Sequence, residues 1–187
     1  LDPIYASALL DCMDCPPMIR EDMLTIISLL NIENLIRIPK SQSASRLQSQ
    51  VNKYRVGSSD HLTKLNLFQS YIAAHNKQDF CNQMHVNRRN INKAIAIRQQ
   101  LKGILDEISH RRKGTVRISE EYIPKVNLRN TDVNELIKDL PEKHDLDIQA
   151  LSTMLGKAFK LNTATLSNDG SYTLARSKER VFIHPES

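Results

Sequence analysis

NRRNINKAIAIRQQLKGILDEISH, residues Asn87 to His110, is the stretch on which the fold turns. Its apolar residues Ile91, Ala94, Ile95, Ile97, Leu101, Ile104, Leu105 and Ile108 keep to one side of a helix advancing roughly 100° per residue, so one long amphipathic helix is predicted. The opposite side carries Arg89, Lys93, Ala96, Gln100 and Gly103, where two small residues among basic and amide groups leave room for a bulky sugar-phosphate strand near the backbone. Arg98 falls inside the apolar arc, where a guanidinium requires a buried acceptor or a phosphate. A brace within the fold is the expected role.

Upstream, the same periodicity continues. Ile4, Ala8, Leu9 and Cys12 predict a helix over residues 3–14, with Asp2 as N-cap and Pro3 in the first turn. After Pro16-Pro17, a largely buried helix is predicted from Met18 to Asn34 through Met23, Ile26, Ile27 and Leu30. Pro39 to Ser49 reads as a polar connection or a weak helix. Asp60 is placed to cap a third helix through Leu62, Leu65, Phe68 and Ile72, and a short fourth helix holds Phe80, Cys81 and Met84.

Downstream, His110-Arg111-Arg112-Lys113-Gly114 opens a mixed stretch, residues 109–145, read as a loop or insertion with a short helical candidate from Val133 to Leu140. A helix resumes from Asp147 to Phe159. Thr163–Leu166 and Ser171–Leu174 then flank Asn168-Asp169-Gly170, a hairpin-turn signal, and Val181–His184 reads as a further strand. The fold class is therefore mainly α, a helical bundle followed by the first strands of an incomplete sheet.

The composition agrees. Hydrophobic residues are 40% and charged residues 25%, a globular balance, and only 5 glycines argue against a glycine-rich catalytic loop. The net charge of +5 is uneven: residues 61–117 carry 11 basic and 3 acidic side chains, a surplus of +8. Such a segment suits a surface facing phosphates, and equally a solvated helical face with a basic loop. The longest apolar run, Met23 to Ile32, is broken by Thr25, Ser28 and Asn31 and falls short of the roughly 20 residues that span a bilayer, so no membrane segment is expected. Leu1-Asp2-Pro3 does not look like a signal peptide, and the natural start is expected to lie upstream. Three cysteines at irregular spacing do not form a disulfide framework and point to a reducing compartment, nuclear or cytoplasmic.

Catalytic motifs are missing. No G-x-x-x-x-G-K-[ST], G-x-G-x-x-G or H-E-x-x-H occurs, so no catalytic residue is assigned. Cys12-x-x-Cys15 with Cys81-x-x-x-His85 offers three thiols and an imidazole of the kind zinc takes. Cys12 and Cys81 nevertheless lie on apolar faces, where a free cysteine is a small hydrophobe, and no metal site is assigned. Asp60-His61 has no nucleophile or second carboxylate nearby in sequence and reads as helix capping.

Several segments in order resemble the C-terminal region of DEAH-box RNA helicases. Ala8-Leu9-Leu10 and Glu21-Asp22-Met23-Leu24-Thr25-Ile26 with Leu29-Leu30 resemble helices that follow the family's winged-helix domain. Ser59-Asp60-His61-Leu62-Thr63 with Leu65-Asn66 resembles its G-D-H-L-T-x-L-N signature, with Ser59 in place of the usual Gly. Phe80-Cys81 stands where Trp-Cys is usual, and Asn87-Arg88 with Ala94, Ile97-Arg98 and Gln100-Leu101 resembles the N-x-R…A-x-x-[IV]-R-x-Q-L helix. Ala158-Phe159, Asn162, Ala164, Asp169-Gly170-Ser171-Tyr172 and Ile183-His184-Pro185-Glu186-Ser187 resemble the entry into the family's OB-fold.

The resemblance implies a helical ratchet domain over residues 1–160 and the beginning of an OB-fold over 161–187. It further implies that ATP and Mg belong to RecA domains outside this chain, which itself carries no cofactor. The implied partners are single-stranded RNA, the RecA and winged-helix domains of the same protein, and in some members a G-patch activator. Arg88, Arg89, Lys93 and Gln100 are the expected RNA contacts, with Asn87, Asp60, His61 and Arg98 structural or RNA-facing. Two alternatives stand beside this binding module: a scaffold docking a protein activator, and an independent zinc module.

Overall fold

Five of the helices in the computed structural model begin where a side chain accepts from a free amide of the first turn. The structure describes residues 2–37, 49–112 and 132–183. Helix α1 (Pro3–Asp11) is capped by Asp2, whose carboxylate accepts from the amide of Ile4 at 2.8 Å. A 3-10 turn, Cys12–Asp14, leads to α2 (Pro17–Leu30), with proline in its first turn. Helix α3 (Asp60–Ala73) is capped by Ser59, whose hydroxyl accepts from the amide of Leu62 at 3.3 Å. Asn76 caps α4 (Lys77–Gln83), Asp132 caps α6 (Val133–Lys138) and Asp147 caps α7 (Ile148–Ala158). Between them, α5 (Arg88–Arg112) is the long helix the sequence predicts.

The sequence assigns the α3 cap to Asp60, and the structure moves it back by one residue. Ser59 has extended backbone angles and a side chain within reach of Leu62, while Asp60 is already helical. Its charge in the first turn still favours the helix dipole. Helix α2 also ends earlier than the predicted Asn34, because the chain leaves it to pair with the start of α5. Ile36 bridges Val86, the amide of Arg37 donates to the carbonyl of His85 at 2.9 Å, and that of Asn87 donates to Leu35 at 2.9 Å.

Helix α2 is the hub. It packs against α1, α3, α5 and α7, so Ile19 and Asp22 to Leu29 are all buried. A helix covered on every side cannot leave its hydroxyls unpaired. Thr25 donates to the carbonyl of Glu21 at 2.8 Å and Ser28 to that of Leu24 at 2.7 Å. Two apolar clusters flank this hub. One gathers Leu9, Cys12, Met23, Ile27, Leu62, Leu65, Leu151 and Met154; the other gathers Leu29, Leu67, Phe68, Tyr71, Cys81, Ile91 and Ile95.

The stretch read as a loop or insertion contributes to this packing. Residues up to Arg112 continue α5, and α6 docks on α5 with Val133, Leu136, Ile137 and Leu140 against the second cluster. Four apolar residues at helical spacing are enough to bind a six-residue helix that would not persist alone. The Lys113–Gly114 part of the basic cluster and most of Pro39–Ser49 lie outside the described residues.

A three-stranded antiparallel sheet of order β1-β2-β3 closes the described chain. Strand β1 (Ala164–Leu166) pairs with β2 (Tyr172–Leu174), and β2 pairs with β3 (Arg180–Val181). Gly170, at φ 81°, supplies the left-handed residue of the predicted Asn-Asp-Gly turn. The architecture is mainly helical with a small terminal sheet, as the sequence predicts. No helix among the described residues is long and apolar enough to cross a membrane.

Candidate nucleic-acid interface

The basic surplus of residues 61–117 is reduced by the fold. Arg98 is 1% exposed; its Nε donates to Thr25 Oγ1 at 2.8 Å and its Nη2 pairs with Glu21. Lys102 reaches the same carboxylate at 3.2 Å, and Arg111 pairs with Glu107 at 2.6 Å. Lys77 donates to the carbonyls of Ile72 and Ala74 at 2.9 and 2.7 Å, closing the end of α3. These cations are committed to holding the structure.

Besides the exposed Arg112 at the far end of α5, what remains open is its first two turns. Asn87 is half-buried and starts the helix, its carbonyl accepting from the amides of Asn90 and Ile91 at 2.9 and 3.0 Å. Arg88 is exposed and donates to Gln78 Oε1 at 2.8 Å, which fixes its direction. Arg89 and Lys93 are exposed, four residues apart on one face, and make no ion pair among the described residues. Lys93 and Asn90 border an open polar cleft of about 420 Å³ whose other wall is Asn31, Ile32, Glu33 and Asn34. Asn90 pins that wall by donating to the carbonyls of Glu33 and Asn34 at 2.9 and 3.2 Å. Beyond the Ile36–Val86 bridge, Arg37, Asn82 and His85 border a second cleft of about 240 Å³.

The predicted stripe does not stay open along the helix. Ala96 is 3% exposed and Gln100 and Gly103 are half-buried, so Ala96 is covered by protein and Gly103 only partly open to a strand. The structure brings Arg88, Arg89 and Lys93 to one accessible end and separates Gln100 from them. Residues 31–37, which form the far wall, carry no periodic signal. The Ile36–Val86 bridge, its flanking backbone hydrogen bonds and the Asn90 side chain place Asn34 and Arg37 beside α5, and sequence reasoning missed them.

Asp60 and His61 stand apart, at the start of α3. His61 stacks on Phe159, with ring centroids 5.9 Å apart and planes at 24°, and its Nδ1 is buried without a partner among the described residues. Burial, then the nearby Lys64, holds its pKa below the ordinary histidine value. A neutral ring wedged against an aromatic is a packing element. The cysteines are also dispersed: Cys12 lies in the first apolar cluster and Cys81 in the second, and no three His, Cys, Asp or Glu residues converge as metal ligands among the described residues. Burial, then the adjacent Cys15, pushes the Cys12 thiol up to about 11.

No family model matches the chain. Among curated proteins it is similar to ATP-dependent RNA helicase DHX33 of Homo sapiens, 25% identical over 187 residues, which is 100% of this chain and 22% of the relative. It is also similar to probable ATP-dependent RNA helicase DHX35 of Homo sapiens, 24% identical over 189 residues, again 100% of this chain and 22% of the relative. DHX33 of Drosophila melanogaster is 25% identical over 187 residues. The resemblance to RNA helicases carried by the ordered motifs is thus borne out along the whole chain, which spans 22% of the length of these relatives.

Proposed function

We propose that this chain is an accessory region of an ATP-dependent DEAH-box RNA helicase and that Arg88, Arg89 and Lys93 hold the backbone of single-stranded RNA. The observation that carries the reading is the exposed Arg89–Lys93 pair, free of ion pairs among the described residues, beside a polar cleft. Phosphates supply the anions such side chains lack. The helical part is read as the ratchet domain and the terminal strands as the entry to an OB-fold. ATP and Mg are assigned to RecA domains elsewhere in the longer protein, reached through its winged-helix domain. Reducing conditions, in nucleus or cytoplasm, suit its free cysteines.

The test is the salt dependence of binding to a labelled single-stranded oligonucleotide, wild type against the double variant Arg89→Ala, Lys93→Ala. Each phosphate contact contributes about 0.7 to the slope of log affinity against log salt, so loss of two lowers it by about 1.4. An unchanged slope sinks the assignment. It would favour the scaffold reading, docking of a protein activator such as a G-patch protein. The exposed Leu161, Leu166, Phe182 and Ile183 around the terminal sheet support that reading.

A further inference from the structure

Residues 139–147 join α6 to α7 without regular structure and cross α2 and α3 on the way. Two side chains fasten this strap. Lys143 Nζ donates to Ser70 Oγ at 2.9 Å, and His144 is inserted between its own strap and the buried Asp22. Asp22 is 2% exposed. His144 Nδ1 lies 2.9 Å from the carbonyl of Glu142, and Nε2 lies 3.1 Å from Asp22 Oδ2. Gln69 Nε2, 3.3 Å from the same Nε2, donates to Asp22 Oδ1 at 3.2 Å, which leaves Gln69 Oε1 buried without a partner among the described residues.

This geometry counts protons. A carbonyl only accepts, so Nδ1 must carry a hydrogen. If Asp22 is ionised, Oδ2 also accepts and Nε2 must carry a second one, making the ring an imidazolium. A bare Nε2, even one accepting from the second N–H of Gln69 at 3.3 Å, would set its lone pair 3.1 Å from an ionised Oδ2, so a neutral ring favours a protonated Asp22. In both favoured arrangements the pair holds one proton more than a neutral histidine and a free carboxylate would.

We propose that this shared proton is a latch that fastens the 139–147 strap across α2 and α3, and that its loss as pH rises frees the strap while the helical core stays folded. The surrounding charges, among the described residues, are few. From α2 come Asp22 and its neighbour Glu21, the latter committed to Arg98 and Lys102. From α5, Arg98 acts on Asp22 through space. Helix α3 presents the uncharged Gln69 and Ser70, and the strap itself brings Lys143 and Asp145.

The two groups shift in the same direction. Burial raises Asp22, against the opposing pull of His144, Gln69 and Arg98. Burial alone would lower His144, but the Glu142 carbonyl and Asp22 outweigh it and the net shift is upward. The fastened strap therefore binds more protons than the free one. Its extra stability is fully present below the ordinary histidine value of about 6.5 and is lost as pH climbs through the raised folded-state value. Release would also loosen Leu146 from the first apolar cluster and Asp147 from its cap on Ala150.

The test uses the 187-residue chain, with hydrogen exchange at Ile148, Ala150 and Leu151, whose amides are held by Leu146 and Asp147, and a nitrogen NMR titration of His144 from about pH 5.5 to about pH 8.5. Exchange corrected for intrinsic rate is expected to speed up by about tenfold or more across that window, the loss of one charge-assisted buried hydrogen bond. In His144→Gln and in Asp22→Asn it should stay flat. Titration of His144 at or below the ordinary value, or the same pH response in wild type and both variants, overturns the latch. The wild-type titration decides the matter even if a variant fails to fold.

Discussion

Removing the charge of Glu21 should be far more damaging than removing the buried charge it faces. Arg98 is 1% exposed, its Nη1 has no partner among the described residues, and its Nε is held by one hydroxyl. Glu21→Gln leaves that guanidinium desolvated with no directly paired carboxylate, only Asp22 acting on it through space. Breaking a buried pair in this way costs about 3–5 kcal/mol. Glu21 is 25% exposed, so some water can reach the vacated side, and the lower end, about 3 kcal/mol, is expected. Arg98→Met removes the buried charge itself in a side chain of similar length, and Glu21 keeps Lys102 at 3.2 Å. Swapping a buried ion for a shape-matched apolar group is often neutral or stabilising, so a loss below about 1.5 kcal/mol is expected. Urea unfolding followed by helical circular dichroism, with the slope checked for constancy, measures both. Equal losses in the two variants, or a loss under about 1 kcal/mol for Glu21→Gln, would refute the view that Arg98 is braced by its carboxylate.

The capping assignment separates two neighbours: Ser59→Ala should cost about 1 kcal/mol in thermal or urea unfolding, whereas Asp60→Asn should cost less than about half that, and the reverse order would restore Asp60 as the cap. Leu151, at 0% exposure in the first apolar cluster, ties α7 to the bundle, so Leu151→Ala is expected to cost about 2–5 kcal/mol; a near-neutral result would mean that α7 is not docked as described.

Helix α5 was legible because its signal is local. Eight apolar residues at helical spacing identify the face that must be buried whatever buries it, and the Asn-Asp-Gly turn likewise announces its hairpin through backbone conformation alone. The motif order that resembles RNA helicases is also written linearly, and the full-length likeness to DHX33 and DHX35 agrees with it. Arg98 was recognisable as a buried charge from its position in the apolar arc.

Its partner was not recognisable, because Glu21 lies 77 residues away and nothing in either local pattern links them. Periodicity says which face is covered and is silent about the element that covers it. For that reason the stripe through Ala96 reads as open in sequence and is closed in the fold, leaving only Arg88, Arg89 and Lys93 at the helix start. The same limit hides the wall of residues 31–37, set beside α5 by the Ile36–Val86 bridge and the hydrogen bonds around it, and the contact of His144 with Asp22 across 122 residues. Local pattern announces the long helices, the turn and the number of charges the chain carries; which of those charges are spent inside and which are left for a partner is settled by tertiary packing, because desolvation and pairing depend on distance in space.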